Sequence, residues 1–236
     1  MGVVVPARNE RDTIVASVHS IQIALRRLPS AVERAVCVVA DRCSDDTAER
    51  AARRIVTVVC NHRAATVGEV RAIGMRQVRR MLGHHTAGRT WLLSTDADTE
   101  VPPDWAVRHV EYAESGAHAV AGEAVLADRP RMPIDVARRY SALVAGARGP
   151  DGHGNVYGAN LGVRADVYER VGGFGSVATG EDHDLWRRLR EAGYRCEYAD
   201  GLGVVTSARR RGRAPGGLAA LLATLDETGP IPSRPR

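Results

Sequence analysis

Two carboxylates two positions apart, in Asp96-Ala97-Asp98, follow the apolar run Trp91-Leu92-Leu93-Ser94-Thr95. Side chains of an extended segment alternate between faces, so Asp96 and Asp98 are expected to project the same way. Paired like this they could share a divalent cation, Mg²⁺ or Mn²⁺, that carries phosphate oxygens. Acidic pairs also occur as solvated turns and helix caps, so the pair gains meaning from its company along the chain. Two more polar turns close apolar runs: Pro6-Ala7-Arg8-Asn9-Glu10 after Val3-Val4-Val5, and Asp41-Arg42-Cys43-Ser44-Asp45 after residues 35–40. A fourth acidic turn, Gly180-Glu181-Asp182-His183-Asp184, precedes a helical pattern at 185–190. A carboxylate that is desolvated there can take a proton from a hydroxyl.

The elements that must position these turns alternate in type. A strand at 3–5 is followed by a helix at 12–28 with Ile14, Val18, Ile21, Leu25 and Leu28 on one face, then a strand at 35–40. A helix at 46–54 opens on the cap signal Asp46 and Glu49; a strand at 55–59, a helix at 68–82 and a strand at 90–95 follow. Such alternation predicts an α/β fold, a three-layer sandwich around a mostly parallel central sheet. Ligands of such sheets bind beyond the carboxyl ends of the strands, so the first three turns are expected to converge on one crevice.

Composition limits the alternatives. The 236 residues, 44% hydrophobic, suit a single domain over 1–228, in two parts at about 1–100 and about 101–228, with a loose tail at 229–236. No apolar run approaches the roughly 20 residues of a membrane span, and the first residues lack a secretory pattern, so a cytoplasmic protein is expected. Cys37, Cys43, Cys60 and Cys196 lack ligand spacing and read as reduced thiols. All 33 basic residues are arginines, which excludes a P-loop lysine or a Schiff base. A net charge of +5 with 4% aromatic residues offers no stacking platform for nucleic acid. Leu218, Leu221, Leu222 and Leu225 form an apolar helix face that either packs on the core or joins a second copy of the chain.

The ordered set resembles the family 2 glycosyltransferases, which have the GT-A nucleotide-sugar fold. The pieces that carry the resemblance are Val3 to Glu10, the turn at 41–47, Asp96-Ala97-Asp98, Gly158-Ala159-Asn160, Val171-Gly172-Gly173-Phe174 and Gly180-Glu181-Asp182-His183-Asp184-Leu185. They run in the family's order to about residue 206. The resemblance implies that Pro6, Ala7, Arg8, Asn9 and Glu10 wrap the nucleoside and that Asp41 accepts a hydrogen bond from the base. Arg71, Asp96 and Ala97 would lie against the donor, and Asp98, helped by Asp96, would hold Mn²⁺ or Mg²⁺ on the diphosphate. Asp182 would be the general base, with Glu181 the runner-up, and Asn160, Glu181 and Asp182 would face the acceptor. Read alone, Asn9-Glu10 equally suits a helix start, Asp41 and Asp45 a turn and a cap, Asp184 a cap, Arg71 a solvated helix residue and Asn160 a turn. The glycine-rich stretch 149–155 is expected to be a mobile loop beside the acceptor.

Two departures from the family pattern stand out. Asp41-Arg42-Cys43 replaces the commoner Asp-Asp-Gly-Ser. No histidine follows His183, and the arginine-rich stretch 206–213 stands where a histidine ligand is often found. The implied activity is transfer of a sugar from a nucleotide-sugar donor, a UDP-sugar, to a small-molecule hydroxyl or amine with inversion through Asp182. A retaining transferase, a sugar nucleotidyltransferase and a non-catalytic nucleotide-sugar-binding protein are the alternatives.

Overall fold

β1 (Gly2–Ala7) is apolar throughout because it is covered on both sides. Val3 and Val5 pack with Ile14, Val18 and Ile21 of α1 (Ile14–Arg26) and with Trp105 of α4 (Trp105–Glu114). Val4, between them, packs on the opposite side with Val70, Met75 and Val78 of α3 (Val67–Met81) and with Leu185, Trp186 and Leu189 of α7 (Glu181–Glu191). Period-2 alternation in the strand and a helix stripe on each side therefore give the three layers. Helix α3 lies so close that a Cβ at Gly74 would run into Val4. The computed structural model describes residues 1–127, 132–209 and 218–227. Arg210, Arg211, Arg213 and the tail expected at 229–236 lie outside the described residues.

β2 (Ala35–Asp41), α2 (Thr47–Ala52), β3 (Thr57–Asn61) and β4 (Trp91–Ser94) complete the first half. Strands β3-β2-β1-β4 are parallel neighbours, as the alternation predicts. Asp46 does not cap α2 through its side chain but pairs with Arg50 at 2.7 Å. The reciprocal capping box stands at α3, where Thr66 and Glu69 each bond the other's backbone N–H.

The second half corrects the expectation of a mostly parallel sheet. It contains β5 (Thr99–Glu100), β6 (Ala119–Leu126), α5 (Ile134–Gly146), β7 (Leu161–Arg164), α6 (Ala165–Arg170), β8 (Cys196–Thr206) and α8 (Leu218–Glu227). The eight strands run in the order β3-β2-β1-β4-β7-β6-β8-β5. β7 is antiparallel to both β4 and β6, and β5 is antiparallel to β8, so the sheet is mixed. After β6 the chain makes no crossover. It leaves at the carboxyl end through α5 and returns from that same end as β7, which fixes the opposite direction.

Asn160 braces this half. Between Gly122 and Glu123 the β6–β8 ladder slips, Gly122 facing Ala199 and Glu123 facing Gly203, so residues 200–202 bulge out. The carbonyls of Glu123 and Leu202 lie at the slip, and the Asn160 side-chain amide donates to both, at 2.9 and 2.7 Å. Its Oδ1 accepts from Trp105 Nε1 at 2.8 Å. The side chain is wholly buried, so Asn160, expected on the acceptor, belongs instead to the frame. α8 docks its leucines on α5, where Leu222 packs with Tyr140 and Leu126.

Replacing Asn160 by Leu should orphan an indole N–H and two carbonyls at similar volume. The expected loss is about 2–4 kcal/mol of stability. Urea unfolding of Asn160→Leu measures it, and a midpoint equal to wild type would mean that the bulge is satisfied some other way.

Candidate active site

The loops after β1 and β2 are stitched together. Asn9 adopts φ 54°, a left-handed conformation that asparagine tolerates, and its Oδ1 accepts from Ser44 N at 2.8 Å. Cys43 Sγ donates to Ala7 O at 3.4 Å, and Glu10 N donates to Thr47 Oγ1 at 2.7 Å. The Glu10 carbonyl accepts from Thr13 and Ile14, so this turn also starts α1. Pro6 is half-buried beside Val39, whereas Arg8 is exposed and makes no ion pair among the described residues.

Asp41 ends β2 buried, accepting from Asn61 Nδ2 at 2.7 Å and from a forked Arg42 at 3.0 and 3.1 Å. Asn61 also borders a cleft of about 640 Å³ walled by Cys60, Arg63, Arg76 and Phe174.

The geometry of the Asp pair differs from the expectation. Strand β4 stops at Ser94, and Ala97 and Asp98 form a turn, so the alternation rule does not govern the two side chains. Each aspartate meets its own arginine. Asp96 Oδ1 accepts from Arg71 Nη2 at 2.7 Å, and Asp98 Oδ2 lies 3.2 Å from Arg209 Nη2. Asp98 remains the desolvated member: burial, and then the charge of Asp96, push its carboxyl up to about 6, with Arg209 pulling it back and Glu10 adding to the rise.

Arg71 joins the two acidic turns. Its side chain lies on the inward face of α3 with Gly74, Met75 and Val78, and it is 4% exposed. Nε donates to Glu181 at 3.1 Å, Nη1 to Ser94 Oγ at 2.7 Å and Nη2 to Asp96. Burial works against its charge, yet Asp96 and Glu181 more than offset this and raise its pKa. Gly158 lies against the guanidinium, where a Cβ would stand 2.5 Å from Nη2.

Glu181 opens α7 and is therefore held on Arg71, while Asp182 is half-buried beside it. Asp182 accepts from Gly158 N at 2.7 Å and from His183 N at 2.8 Å. Asp184 accepts from Arg187 Nη2 and from Arg188 Nε, and these bonds, that of Arg188 first, hold its pKa low. Next to Gly158, Tyr157 lines a second cleft of about 330 Å³ with Tyr140, Val144, His153, Asn155 and Glu123. Burial raises the Tyr157 hydroxyl's pKa, Tyr140 adds to this, and Asp182 contributes, so Asp182 and the cleft adjoin. The stretch expected to be mobile is tied down: Gly149 pairs with Gly152, and the buried His153 bonds Ala121 O at 3.0 Å.

Two contributors, Ser94 and Thr47, carry no signal in the sequence because they are single hydroxyls at buried positions. Arg209 lies in the arginine-rich stretch noted above, but its partners Glu10 and Asp98 are 199 and 111 residues away. The donor set of Asp98, Asp96 and Glu10 is all carboxylate, which suits a hard cation such as Mg²⁺ or Mn²⁺. Asp98 and Asp96 would hold it. Among the described residues the one trio of such groups with all ligand atoms within 4.8 Å of one another is Glu33, His84 and His85, near the start of β2, and it includes neither aspartate.

An α/β sheet of this order with acidic turns at the strand ends is the nucleotide-sugar transferase architecture. The model of the family described as "Glycosyltransferase like family 2" matches residues 1–214, and the chain belongs to that family. A mannosyltransferase from Pyrobaculum calidifontis, solved with GDP-Man and Mn²⁺, superposes with a TM-score of 0.63 at 21% identity, covering 89% of this chain and 57% of its own. S. aureus TarS 1-349 with UDP-GlcNAc gives 0.66 at 12% identity over 98% of this chain and 67% of its own. Glucosyl-3-phosphoglycerate synthase from Mycobacterium tuberculosis, with Mn²⁺, UDP and phosphoglyceric acid, gives 0.56 at 18% identity over 95% and 76%. The chain thus spans little more than half of the archaeal enzyme. No curated protein sequence matches it. No helix among the described residues is long and apolar enough to cross a membrane.

The raised Asp98 pKa has a sign that unfolding can read. A carboxyl whose folded pKa exceeds its unfolded value, about 4 for aspartate, binds protons on folding between the two. In metal-free buffer Asp98 should therefore cost stability as pH rises from about 4 through 6. Stability of Asp98→Asn relative to wild type should increase across that window and level off above it. A difference independent of pH would mean that the carboxylate carries no such strain.

Proposed function

We propose that the protein transfers a sugar from a nucleoside diphosphate donor, a UDP-sugar, to a hydroxyl of a small molecule, with inversion and with Asp182 as general base. The observation that carries this reading is the Arg71 bridge: one guanidinium holds Asp96 of the metal turn and Glu181 of the base turn, so Asp182 sits next to the place a diphosphate would occupy. The acceptor oxygen attacks the anomeric carbon as its proton passes to Asp182. The bond from that carbon to the β-phosphate oxygen breaks, and the electron pair leaves with the nucleoside diphosphate. A Mg²⁺ or Mn²⁺ held by Asp98 and Asp96 would neutralise the charge gathering on the departing diphosphate. Glu181 is the weaker candidate for base because its carboxylate is engaged by Arg71.

The donor side is read from Asp41, buried where β2 ends and steadied by Asn61, which suits acceptance of a base N–H such as uracil's. Asn9 and Glu10 shape the adjoining turn, with Pro6, Ala7 and the unpaired Arg8 along it. The acceptor side is the smaller cleft beside Tyr157, walled largely by aromatic and aliphatic side chains. Mn²⁺ and a nucleotide in two of the solved neighbours support the metal and the donor class.

Asp98→Ala is expected to fold and to lose the Mn²⁺-dependent rise in melting temperature that UDP gives the wild type, because a ligand stabilises only the state that binds it. Unchanged metal-dependent stabilisation in the folded variant would remove Asp98 from the metal. Asp182→Asn should keep donor affinity and lose transfer by roughly 10²-fold or more, since the amide preserves shape without accepting the proton. Near-normal turnover would take the base role away from Asp182.

A further inference from the structure

Arg209 follows β8 and reaches back to the first loop. Its two terminal nitrogens fork onto Glu10, Nη1 to Oε2 at 2.9 Å and Nη2 to Oε1 at 2.7 Å, and Nη2 also stands 3.2 Å from Asp98 Oδ2. Glu10 is buried, Asp98 is nearly so, and Arg209 itself is half-buried. The contact is built from both ends: Ser207 N donates to Asp98 O at 3.2 Å, and Arg209 N to Ser207 Oγ at 3.3 Å. The guanidinium therefore occupies the carboxylate oxygen that a divalent cation would need.

From this geometry we infer that Arg209 is the resident cation of the metal site, that a divalent ion must displace it, and that the released guanidinium then pairs with the donor's diphosphate. The inference rests on the donor-site reading above and deepens it. Metal alone meets an Asp98 already neutralised by a fork that also satisfies Glu10. Displacing Arg209 without an anion to receive it strands a half-buried charge and leaves Glu10 unpartnered by it. Metal and diphosphate arriving together remove this cost, because a diphosphate offers the planar guanidinium a bidentate partner as good as Glu10. The two ligands should thus bind with positive coupling, and the coupling should pass through this one side chain.

The experiment compares Mn²⁺ binding to wild type and Arg209→Gln by the paramagnetic resonance signal of free Mn²⁺, first with Mn²⁺ alone and then with UDP added. Removing an opposite charge at this range is worth roughly a factor of ten. Arg209→Gln should bind Mn²⁺ alone about tenfold more tightly than wild type does, and UDP with Mn²⁺ less tightly than wild type, so that the coupling shrinks from both sides. An unchanged or weaker affinity of the variant for Mn²⁺ alone would overturn the inference. Should Arg209→Gln fail to fold, hydrogen exchange of wild type at residues 207–209 decides: the amides should change with Mn²⁺ and UDP together and not with Mn²⁺ alone. Identical exchange in all states overturns it as well. If wild type binds no nucleoside diphosphate with any metal, the donor reading fails separately, while the comparison with Mn²⁺ alone still reports on Arg209.

Discussion

A buried guanidinium needs its charge met on every side, and Arg71 imposes that constraint on the whole site. Its three nitrogens meet three different elements: Ser94 at the end of β4, Asp96 in the turn beyond it and Glu181 at the start of α7. Removing either acid would leave a guanidinium N–H without its acceptor in a core that includes Phe174, whose ring centre is 5.9 Å away. Parallel strand ends, the turn at 96–98 and the start of α7 are thus held in one arrangement by mutual need for charge. Lysine could not do this, because its single ammonium cannot hold three acceptors in one plane. A chain whose basic residues are all arginine has the right donor for such a joint.

The two halves of the sheet solve different problems. In the parallel half, strands covered on both faces deliver their loops to a common edge, and this is where the nucleotide-side residues lie. In the mixed half, β7 returns beside β4 and carries Gly158 and Asn160 just ahead of it. Gly158 lets the backbone come against Arg71 and offers its N–H to Asp182. Asn160 secures the slipped ladder beneath. The antiparallel return is therefore what brings a backbone donor and Asp182 together, and a uniformly parallel sheet would have sent this segment to the far end.

Legibility in the sequence followed the range of the interaction. Val3 to Val5 and the stripe of α1 are local patterns, and they mark a strand and a helix to within a few residues, whereas the cap signal at Asp46 and Glu49 misleads and the capping box stands at Thr66 and Glu69. The acidic turns were readable because strand ends of an α/β sheet gather on one edge. The direction of β7 was not, since four residues with no βαβ connection carry no signal of which way they run. Asp96-Ala97-Asp98 read as extended because the strand pattern was carried past Ser94, where the chain in fact turns. Asn160 read as an acceptor-facing or turn-fixing residue, and its partners here could not be foreseen because they are the carbonyls of a bulge, and bulges leave no pattern in a single sequence. Arg71 carried one usable sign: it shares its helical face with Gly74, Met75 and Val78, and a charge at a core position requires a partner.

The charges at the two aspartates follow a single logic. Asp96, Asp98 and Glu10 crowd negative charge into a pocket with little water, and the rise of the Asp98 pKa is the measure of that crowding. Arg71 is fixed by three bonds inside the core, whereas Arg209 stands on the end of a strand with its nitrogens on two acids alone. The first cation is part of the frame; the second is the one we infer to be replaceable. A site that must accept a doubly charged ion together with a highly charged ligand needs one of each kind. The fixed one keeps the acids in place while the other leaves, and without it the aspartates would repel one another apart whenever the ligand was gone.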